Sequence, residues 1–297
     1  MSGKYESEDN EMKRHCVVIT AYKNPKMLDN LLKVLTRYMK CFVYVDKRSW
    51  SLFENLQEKF PDVVFHAPFK VMWGGIEHLE EILMGFNECI EAGCDYIHIL
   101  SGEDYPTVPM SEIIDFFEHT DGVYSDCHLP SQKEWSIRYQ CRWPYVKLHM
   151  DYKYNTAVRL FNKAVVEIQE IFPSLQRNGI GEMKEVYMGL IWASYPSDVA
   201  EYIVGYLEEH RDFWKDLYMC KIPEEFCFPT IVMNSPFRER MKFNNLRFGR
   251  FDSNNSWGPA YAELNDLATI EATGKLFARK INNHSELYRV LEQRQNL

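Results

Sequence analysis

The sequence predicts an α/β fold with a mostly parallel central sheet flanked by helices. Short apolar, β-branched runs alternate with helical patterns through the first third of the chain, in the order βαβαβαβ. Strands and helices that alternate in this way form parallel sheets covered by helices on both faces. No repeat or linker divides the 297 residues, so one domain is the simplest expectation.

Each predicted strand is a short apolar run bounded by turn signals, as expected for a strand buried on both faces. The four runs are 15–22, 41–46, 63–67 and 95–102.

The predicted helices begin and end at recognisable signals. Pro25 fits the first position of a helix, and Ser49 or Ser51 fits the cap of the next. Gly74-Gly75 opens a long helix that Gly93 closes, and Ser111 is the expected cap of a later one. The helices expected along the chain are 25–39, 49–60, 76–93, 111–120, 164–172, 196–210 and 285–297.

Charge excludes one class of partner. The formal net charge is -9, and a nucleic-acid binder usually has a basic balance or a basic face. We therefore expect no nucleic acid. A local basic bias near the C-terminus, at Lys275, Arg279 and Lys280, suits an anionic ligand such as a diphosphate, although a solvated helix would also explain part of it.

Cysteine usage and hydropathy bear on the compartment. None of the eight cysteines forms a CxxC pair, which argues against a zinc knuckle, and Cys16, Cys41, Cys89 and Cys94 are expected as buried small hydrophobes. No apolar stretch reaches the roughly 18 residues of a membrane span. Residues 1–14 are a polar, flexible lead without a signal-peptide core. We expect a cytoplasmic protein, with peripheral membrane association left open.

Polar residues follow the predicted strands. Thr20, Asp46 and the stretch 101–104 lie at strand ends, and ligands of such sheets bind beyond the carboxyl ends of the strands. No GxGxxG and no P-loop is present, so neither a dinucleotide-binding nor an NTPase sheet is expected.

Three segments together resemble a known family. They are WGGIEHLEEILMGFNECIEAGCDYIHILSGEDYP (73–106), IPEEFCFPTIVMNS (222–235), and NLRF (245–248) followed by LFARK (276–280). In this order they resemble the core-2/I-branching β-1,6-N-acetylglucosaminyltransferases, glycosyltransferase family 14, which includes the protein xylosyltransferases. The resemblance runs from Cys16 to Asn282.

The resemblance implies a GT-A-type glycosyltransferase fold, a UDP-sugar donor, inversion at the anomeric carbon and no divalent metal or other cofactor. It suggests a nucleotide-binding half at 15–107 and an acceptor and catalytic half at 108–297 of a single domain, 15–297. The sequence contains no DxD motif, the usual metal bridge to UDP in this fold class, and Glu103-Asp104 fits a structural role better.

The resemblance also assigns the reacting groups. Glu225 matches the family's catalytic base, whereas Glu224 fits the alternative of a carboxylate at a helix start. Arg247 and Lys280 match the two diphosphate-binding positions, where fixed cations would stabilise the leaving UDP. Arg250 and Arg279 lie close enough in sequence to be confused with them.

Two further sets of residues complete the predicted site. Thr20 and Asp46 are expected beside the nucleoside, with a turn cap as the alternative for Asp46. Trp73, Arg138 and Trp192 are candidates for the acceptor or the donor sugar, although Trp192 could equally be a core residue. No Trp or Tyr lies between Glu225 and Arg247, where the animal enzymes carry their acceptor-stacking aromatics, so the acceptor and the sugar stay open.

Transfer of N-acetylglucosamine in a β-1,6 linkage from UDP to a glycan is the expected reaction. The alternatives are transfer of xylose or another sugar from UDP in surface polysaccharide synthesis, and a non-catalytic protein that binds a nucleotide or carbohydrate on the same fold.

Overall fold

The computed structural model describes residues 13–183, 185–251 and 258–295. Most of the predicted polar lead and the last two residues of the predicted terminal helix therefore lie outside the described residues. The strands are β1 (His15–Ala21), β2 (Lys40–Val45), β3 (Val64–His66), β4 (Tyr96–Ser101), β5 (Asp104–Pro106), β6 (Ser194–Pro196), β7 (Arg247–Gly249) and β8 (Phe277–Arg279).

The main sheet has the order β3-β2-β1-β4-β6. Its first four strands are parallel, and β6 runs antiparallel to β4. Thr20 pairs with Tyr44 on one side and Ser101 on the other, which aligns the carboxyl ends of three strands. The predicted α/β fold with a mostly parallel sheet is confirmed.

A smaller sheet has the order β5-β8-β7. Strand β8 runs antiparallel to β5 and parallel to β7. Since β5 follows β4 after a tight turn, this sheet stands at the same edge as the carboxyl ends of the main strands.

The α-helices cover both faces of the main sheet. They are α1 (Pro25–Leu35), α2 (Glu54–Lys59), α3 (Glu77–Glu91), α4 (Met110–Glu118), α5 (Gln132–Glu134), α6 (Pro144–Lys147), α7 (Thr156–Ile171), α8 (Ser197–Glu209), α9 (Arg211–Leu217), α10 (Cys227–Met233), α11 (Leu267–Ala272) and α12 (Glu286–Arg294). None of the helices among the described residues is long and apolar enough to cross a bilayer.

Four predicted helix boundaries were wrong. Helix α1 ends at Leu35 rather than at residue 39. The helix expected at 49–60 is a 3₁₀ turn followed by α2, because the Asp46 side chain accepts from the Arg48 N–H and starts the turn early. Ser111 does not cap α4, which follows Pro109 and whose Met110 N–H donates to the Gln295 side chain. Helix α7 starts at Thr156, well before the predicted start at 164.

The core divides between the two faces of the sheet. Cys16 and Val18 of β1 point into a cluster with α3 and α8, whereas Val17 and Ile19 point into a second cluster with α1. This alternation is the period of two of a strand. The four cysteines predicted to be buried are buried, and Cys16 is in addition joined to Cys94 by a disulfide, a pairing the sequence did not indicate.

Candidate active site

A cavity of about 500 Å³ opens at the carboxyl ends of β1, β2 and β4. Its wall combines those strand ends with the start of α3, the segment around Glu225 and the end of β8. Of the residues predicted for the site, the cavity is lined by Thr20, Asp46, Trp73, Arg138, Trp192, Glu225 and Lys280. The structure thus brings together every predicted site residue except Arg247.

Glu225 ends a one-turn 3₁₀ helix, Pro223–Glu225. The turn is anchored by Ile222, whose N–H donates to the carbonyl of Gly74 at 3.1 Å. The Glu225 carbonyl accepts from the N–H of Gly189 at 2.7 Å. A Cβ at position 189 would lie 1.7 Å from the Asp126 carbonyl oxygen, so only glycine permits this approach. The backbone of the predicted base is therefore fixed from two directions.

The carboxylate of Glu225 forms an ion pair with Arg138, with Oε2 2.5 Å from Nη1. About 25% of its side chain is exposed. Burial raises the pKa of Glu225 above its ordinary value, Arg138 opposes this shift and Glu224 adds to it. A carboxylate with a raised pKa is a better proton acceptor, so the environment suits a general base.

Glu224 lies at one end of a hydrogen-bonded chain that the sequence did not reveal. Its Oε1 is 3.5 Å from Nδ1 of His78, whose Nε2 is 3.3 Å from Oγ1 of Thr20. All three residues line the cavity. His78 was not among the residues predicted for the site. Its place in the first turn of the helix after Gly74-Gly75 would have been the useful signal.

Arg279 and Lys280 form the cationic end of the cavity. The guanidinium carbon of Arg279 lies 3.7 Å from the ring centre of Trp192, and Nζ of Lys280 is 3.8 Å from Oε2 of Glu103. Burial first, and then the nearby Lys23, lowers the pKa of Lys280 to about 8. Burial also lowers the pKa of Arg279. Each cation has one carboxylate within 4 Å, Asp104 for Arg279 and Glu103 for Lys280. Because Glu103 is shared with Lys23, positive charge exceeds negative charge at this end of the cavity, which favours binding of an anion.

Arg247 occupies a different position. It lies beneath the cavity, and its guanidinium donates to Ser194 Oγ at 2.9 Å and to the carbonyls of Asn245, Ala193 and Ile99 at 2.6, 2.7 and 3.3 Å. It does not line the cavity. The structure therefore places Arg279, rather than Arg247, beside Lys280.

Asp46 acts as a cap and also lines the cavity. Its Oδ1 accepts from the Arg48 N–H at 2.9 Å, and its Oδ2 pairs with Arg48 Nη2 at 2.6 Å. The alternative of a turn cap is thus observed, while a role toward a nucleoside stays a prediction. Asp104 accepts from the Ser101 N–H at 2.9 Å and holds the turn between β4 and β5, consistent with the structural role expected for it.

The aromatic candidates differ in their surroundings. Trp192 lies between Arg279 and the ring of His78, whose centre is 5.7 Å away. Trp73 stacks on Tyr152 with ring centres 6.1 Å apart. Nζ of Lys221 lies 6.0 Å from the centre of the Trp73 ring. Burial, followed by Arg138, lowers the pKa of Lys221 to about 8.

No group of three or more His, Cys, Asp or Glu side chains that could hold a metal ion occurs within residues 13–183, 185–251 and 258–295. Glu103, whose Oε2 lies 3.8 Å from Nζ of Lys280, is also paired with Lys23 at 3.1 Å.

Comparison with known proteins gives a family and little beyond it. The family model described as Branch, Core-2/I-Branching enzyme, matches residues 18–276. No curated protein matches the chain. Among solved structures, a 4-diphosphocytidyl-2C-methyl-D-erythritol synthase is similar at 9% identity over 88% of this chain and 99% of that chain, with a TM-score of 0.37. A mannose-1-phosphate geranyltransferase from Thermus thermophilus is similar at 11% identity over 77% and 72%, with a TM-score of 0.34. At these TM-scores the likeness carries nothing about activity.

Proposed function

The chain belongs to the core-2/I-branching enzyme family, a family of glycosyltransferases, and from this premise we propose that it inverts the anomeric carbon of a UDP-sugar without a divalent metal. N-acetylglucosamine transferred to a glycan hydroxyl in a β-1,6 linkage is the proposed reaction. The alternative donors are UDP-xylose and other UDP-sugars of surface polysaccharide synthesis.

One observation supports this proposal most. A carboxylate with a raised pKa, Glu225, and a pair of largely buried cations, Arg279 and Lys280, line the same cavity. Inverting transfer needs a base on the acceptor hydroxyl and positive charge on the departing diphosphate. The two kinds of group are both present at the carboxyl ends of the sheet, where ligands of such sheets bind.

The proposed step is a single displacement. Glu225 takes the proton of the acceptor hydroxyl as that oxygen bonds to the anomeric carbon of the sugar. The bond between the anomeric carbon and the diphosphate oxygen breaks, and its electron pair leaves with UDP. Arg279 and Lys280 stabilise that developing charge by direct contact with phosphate oxygens, in place of the Arg247 and Lys280 pair expected from the sequence.

A non-catalytic binding protein is the competing proposal. It would need the cations but would have no use for Glu225 in its ion pair with Arg138. Glu225 therefore distinguishes the two proposals. If the protein is a transferase, Glu225→Gln should abolish sugar transfer and leave nucleotide affinity nearly unchanged.

The proposal is tested by calorimetric titration of UDP, UDP-GlcNAc, UDP-xylose and GDP-mannose with EDTA present. We expect uridine nucleotides to bind, Lys280→Ala to weaken them, and Arg289→Ala, an exposed cation outside the cavity, to leave them unchanged. Release of UDP from the best donor with a panel of glycans then measures transfer. Failure of every nucleotide to bind would refute the proposal.

A further inference from the structure

The floor of the cavity contains a carboxyl group that the proposed displacement does not use. Glu81, in α3, is 1% exposed and lines the cavity. Its Oε1 is buried and has no hydrogen-bond partner among the described residues. A buried polar atom left without a partner is costly, so a ligand that supplies one would be favoured at this position.

The surroundings of Glu81 are acidic. Burial first, and then Asp46 at the end of β2 with Glu77 and Glu80 on its own helix, raises the pKa of Glu81 to about 8. Tyr44 of β2 interacts with it from the sheet. At neutral pH the side chain is therefore a neutral acid.

Other ionisable groups share the cavity with Glu81. His78 lies on the same helix, and Glu224 and Glu225 lie on the 3₁₀ turn. Besides Asp46, the other charged side chains that line the cavity are Arg48, Glu103, Arg138, Asp151, Lys153, Lys221 and, at the cationic end, Lys23, Arg279 and Lys280. None of these is hydrogen-bonded to Glu81 Oε1, so a donor O–H remains available to a bound molecule.

We propose that Glu81 donates a hydrogen bond to a carbonyl oxygen of the nucleotide base and so selects uracil. This inference rests on the proposed function, because it assumes that a uridine nucleotide occupies the cavity. Uracil presents two carbonyl oxygens and an N–H, whereas adenine presents no carbonyl. The acid of Glu81 and the neighbouring carboxylate of Asp46 provide the matching donor and acceptor.

The test compares UDP with ADP, which carry the same ribose and diphosphate. Their affinity ratio cancels the contribution of Lys280 and Arg279 and isolates the base. We expect Glu81→Leu to lower the preference for UDP about tenfold, the effect of one lost hydrogen bond in a buried site. In Glu81→Gln the side-chain amide can still donate a hydrogen bond, so the preference for UDP should stay within about twofold of the native value. Glu91→Leu, at the exposed end of the same helix, is the matched control.

The pH dependence gives a second readout. The preference of the native protein for UDP should be full at neutral pH and fall as pH rises through about 8, because the ionised carboxyl cannot donate. In Glu81→Gln, any change in this preference with pH that remains is caused by titration of uracil itself.

Three outcomes overturn the inference. An unchanged preference in Glu81→Leu means that no base contact exists. Equal weakening of UDP and ADP means that the contact is to the ribose. If the native protein binds no uridine nucleotide at any pH, the proposed function fails as well, which a titration of native protein with UDP establishes before any variant is made.

A second observation, independent of the cavity, concerns helix α7. Its buried residues are Val158, Asn162, Val166 and Gln169, two of which are polar. Because the buried face is not continuously apolar, the sequence pattern did not predict the first half of the helix. Large apolar side chains are instead exposed on the helix and the turn after it, by 46–69%, at Leu160, Phe161, Ile168, Ile171, Phe172 and Leu175. At 100° per residue the four on the helix, Leu160, Phe161, Ile168 and Ile171, share one sector of about 100°.

This apolar stripe, the six residues just named, has the size of an interface. At roughly 100 Å² for each half-exposed side chain, it presents on the order of 600 Å², against about 800 Å² that each partner buries in a standard interface. Isolated monomers rarely expose more than a few hundred Å² in one patch.

The charges beside the stripe indicate its partner. Arg159 and Lys163 lie in the first half of α7, and Glu167 and Glu170 lie in the second half, all along one edge of the stripe. Two copies of α7 packed antiparallel about a two-fold axis place each basic half against an acidic half. We infer that the stripe joins two copies of this chain. An anionic bilayer would instead favour a basic edge.

Sedimentation equilibrium over a range of protein concentrations tests this inference. We expect a dimer that Ile168→Ser with Ile171→Ser converts to monomer, while Leu129→Ser, an exposed apolar residue outside α7, does not. Lys163→Glu should weaken the dimer, and adding Glu170→Lys should restore it. Glu170 is chosen because Glu167 already pairs with Lys163 within the same helix at 3.7 Å.

Circular dichroism of each variant confirms that the fold is retained. A native protein that stays monomeric at every concentration refutes self-association. A monomer that pellets with anionic vesicles, and loses this in the Ile168→Ser, Ile171→Ser variant, assigns the stripe to a membrane instead.

Discussion

Strands β7 and β8 lie side by side in the small sheet, and each carries an arginine that is almost completely buried, Arg247 at 4% and Arg279 at 5% exposure. Arg247 donates to four oxygen atoms of the protein. Arg279 instead stacks on Trp192 and faces Asp104 at 3.7 Å. Burial alone therefore does not distinguish the two arginines, whereas their position relative to the cavity does, since Arg279 lines it and Arg247 does not.

Replacement of Arg247 should give the largest effect, and the effect should be on stability. Arg247→Ala removes four hydrogen bonds of a buried network, and breaking such a network costs about 3–5 kcal/mol. Urea unfolding measures this loss, and UDP affinity of the folded variant should be nearly native. A large loss of affinity at native stability would reverse the comparison.

Replacement of Arg279 should act on binding. Arg279→Ala removes a cation that we place on the diphosphate, and we expect UDP to bind about 30- to 100-fold more weakly, or about 2–3 kcal/mol. Calorimetry with UDP and uridine distinguishes a contact to the diphosphate from a contact to the nucleoside. Uridine lacks the diphosphate and should bind to the variant as it does to the native protein. Equal weakening of both ligands would contradict the assignment.

Lys280 should make the affinity for UDP depend on pH. Its lowered pKa of about 8 means that the ammonium is present at neutral pH and is lost as pH rises through that value. Affinity should then fall by up to about tenfold per pH unit. Lys280→Arg should flatten this slope, while a slope unchanged in that variant would assign the titration to another group.

Trp192 should give the smallest effect. Trp192→Leu removes the ring on which Arg279 stacks, an interaction worth about 1–2 kcal/mol when desolvated, and should weaken UDP by less than Arg279→Ala does. A double-mutant cycle with Arg279→Ala measures the coupling between the two side chains. Additive effects would show that the stacking does not position the arginine.

The sequence predicted the parts of the molecule that depend on local pattern. The four parallel strands are continuous apolar runs, and their carboxyl ends placed Thr20 and Asp46 at the cavity without further information. The site near Glu225 and Lys280 came from the family resemblance rather than from periodicity.

Other features depend on contacts that no local pattern contains. NLRF and LFARK both surround a cation with apolar residues, so the sequence could not tell which arginine would face the cavity. His78 and Glu81 occur in an ordinary amphipathic helix, and only the fold brings them to the cavity beside the strand ends. Helix α7 was shortened in the prediction because two of its buried positions are polar.

The close contact at Gly189 has a consequence for genetics. In a saturation mutagenesis screen scored by transferase activity, position 189 should tolerate no substitution, although it does not line the cavity. Any side chain there would collide with the Asp126 carbonyl and displace the backbone that holds Glu225. Such variants would be classified as active-site nulls, and a map of intolerant positions would extend the apparent site beyond the surface that substrates touch.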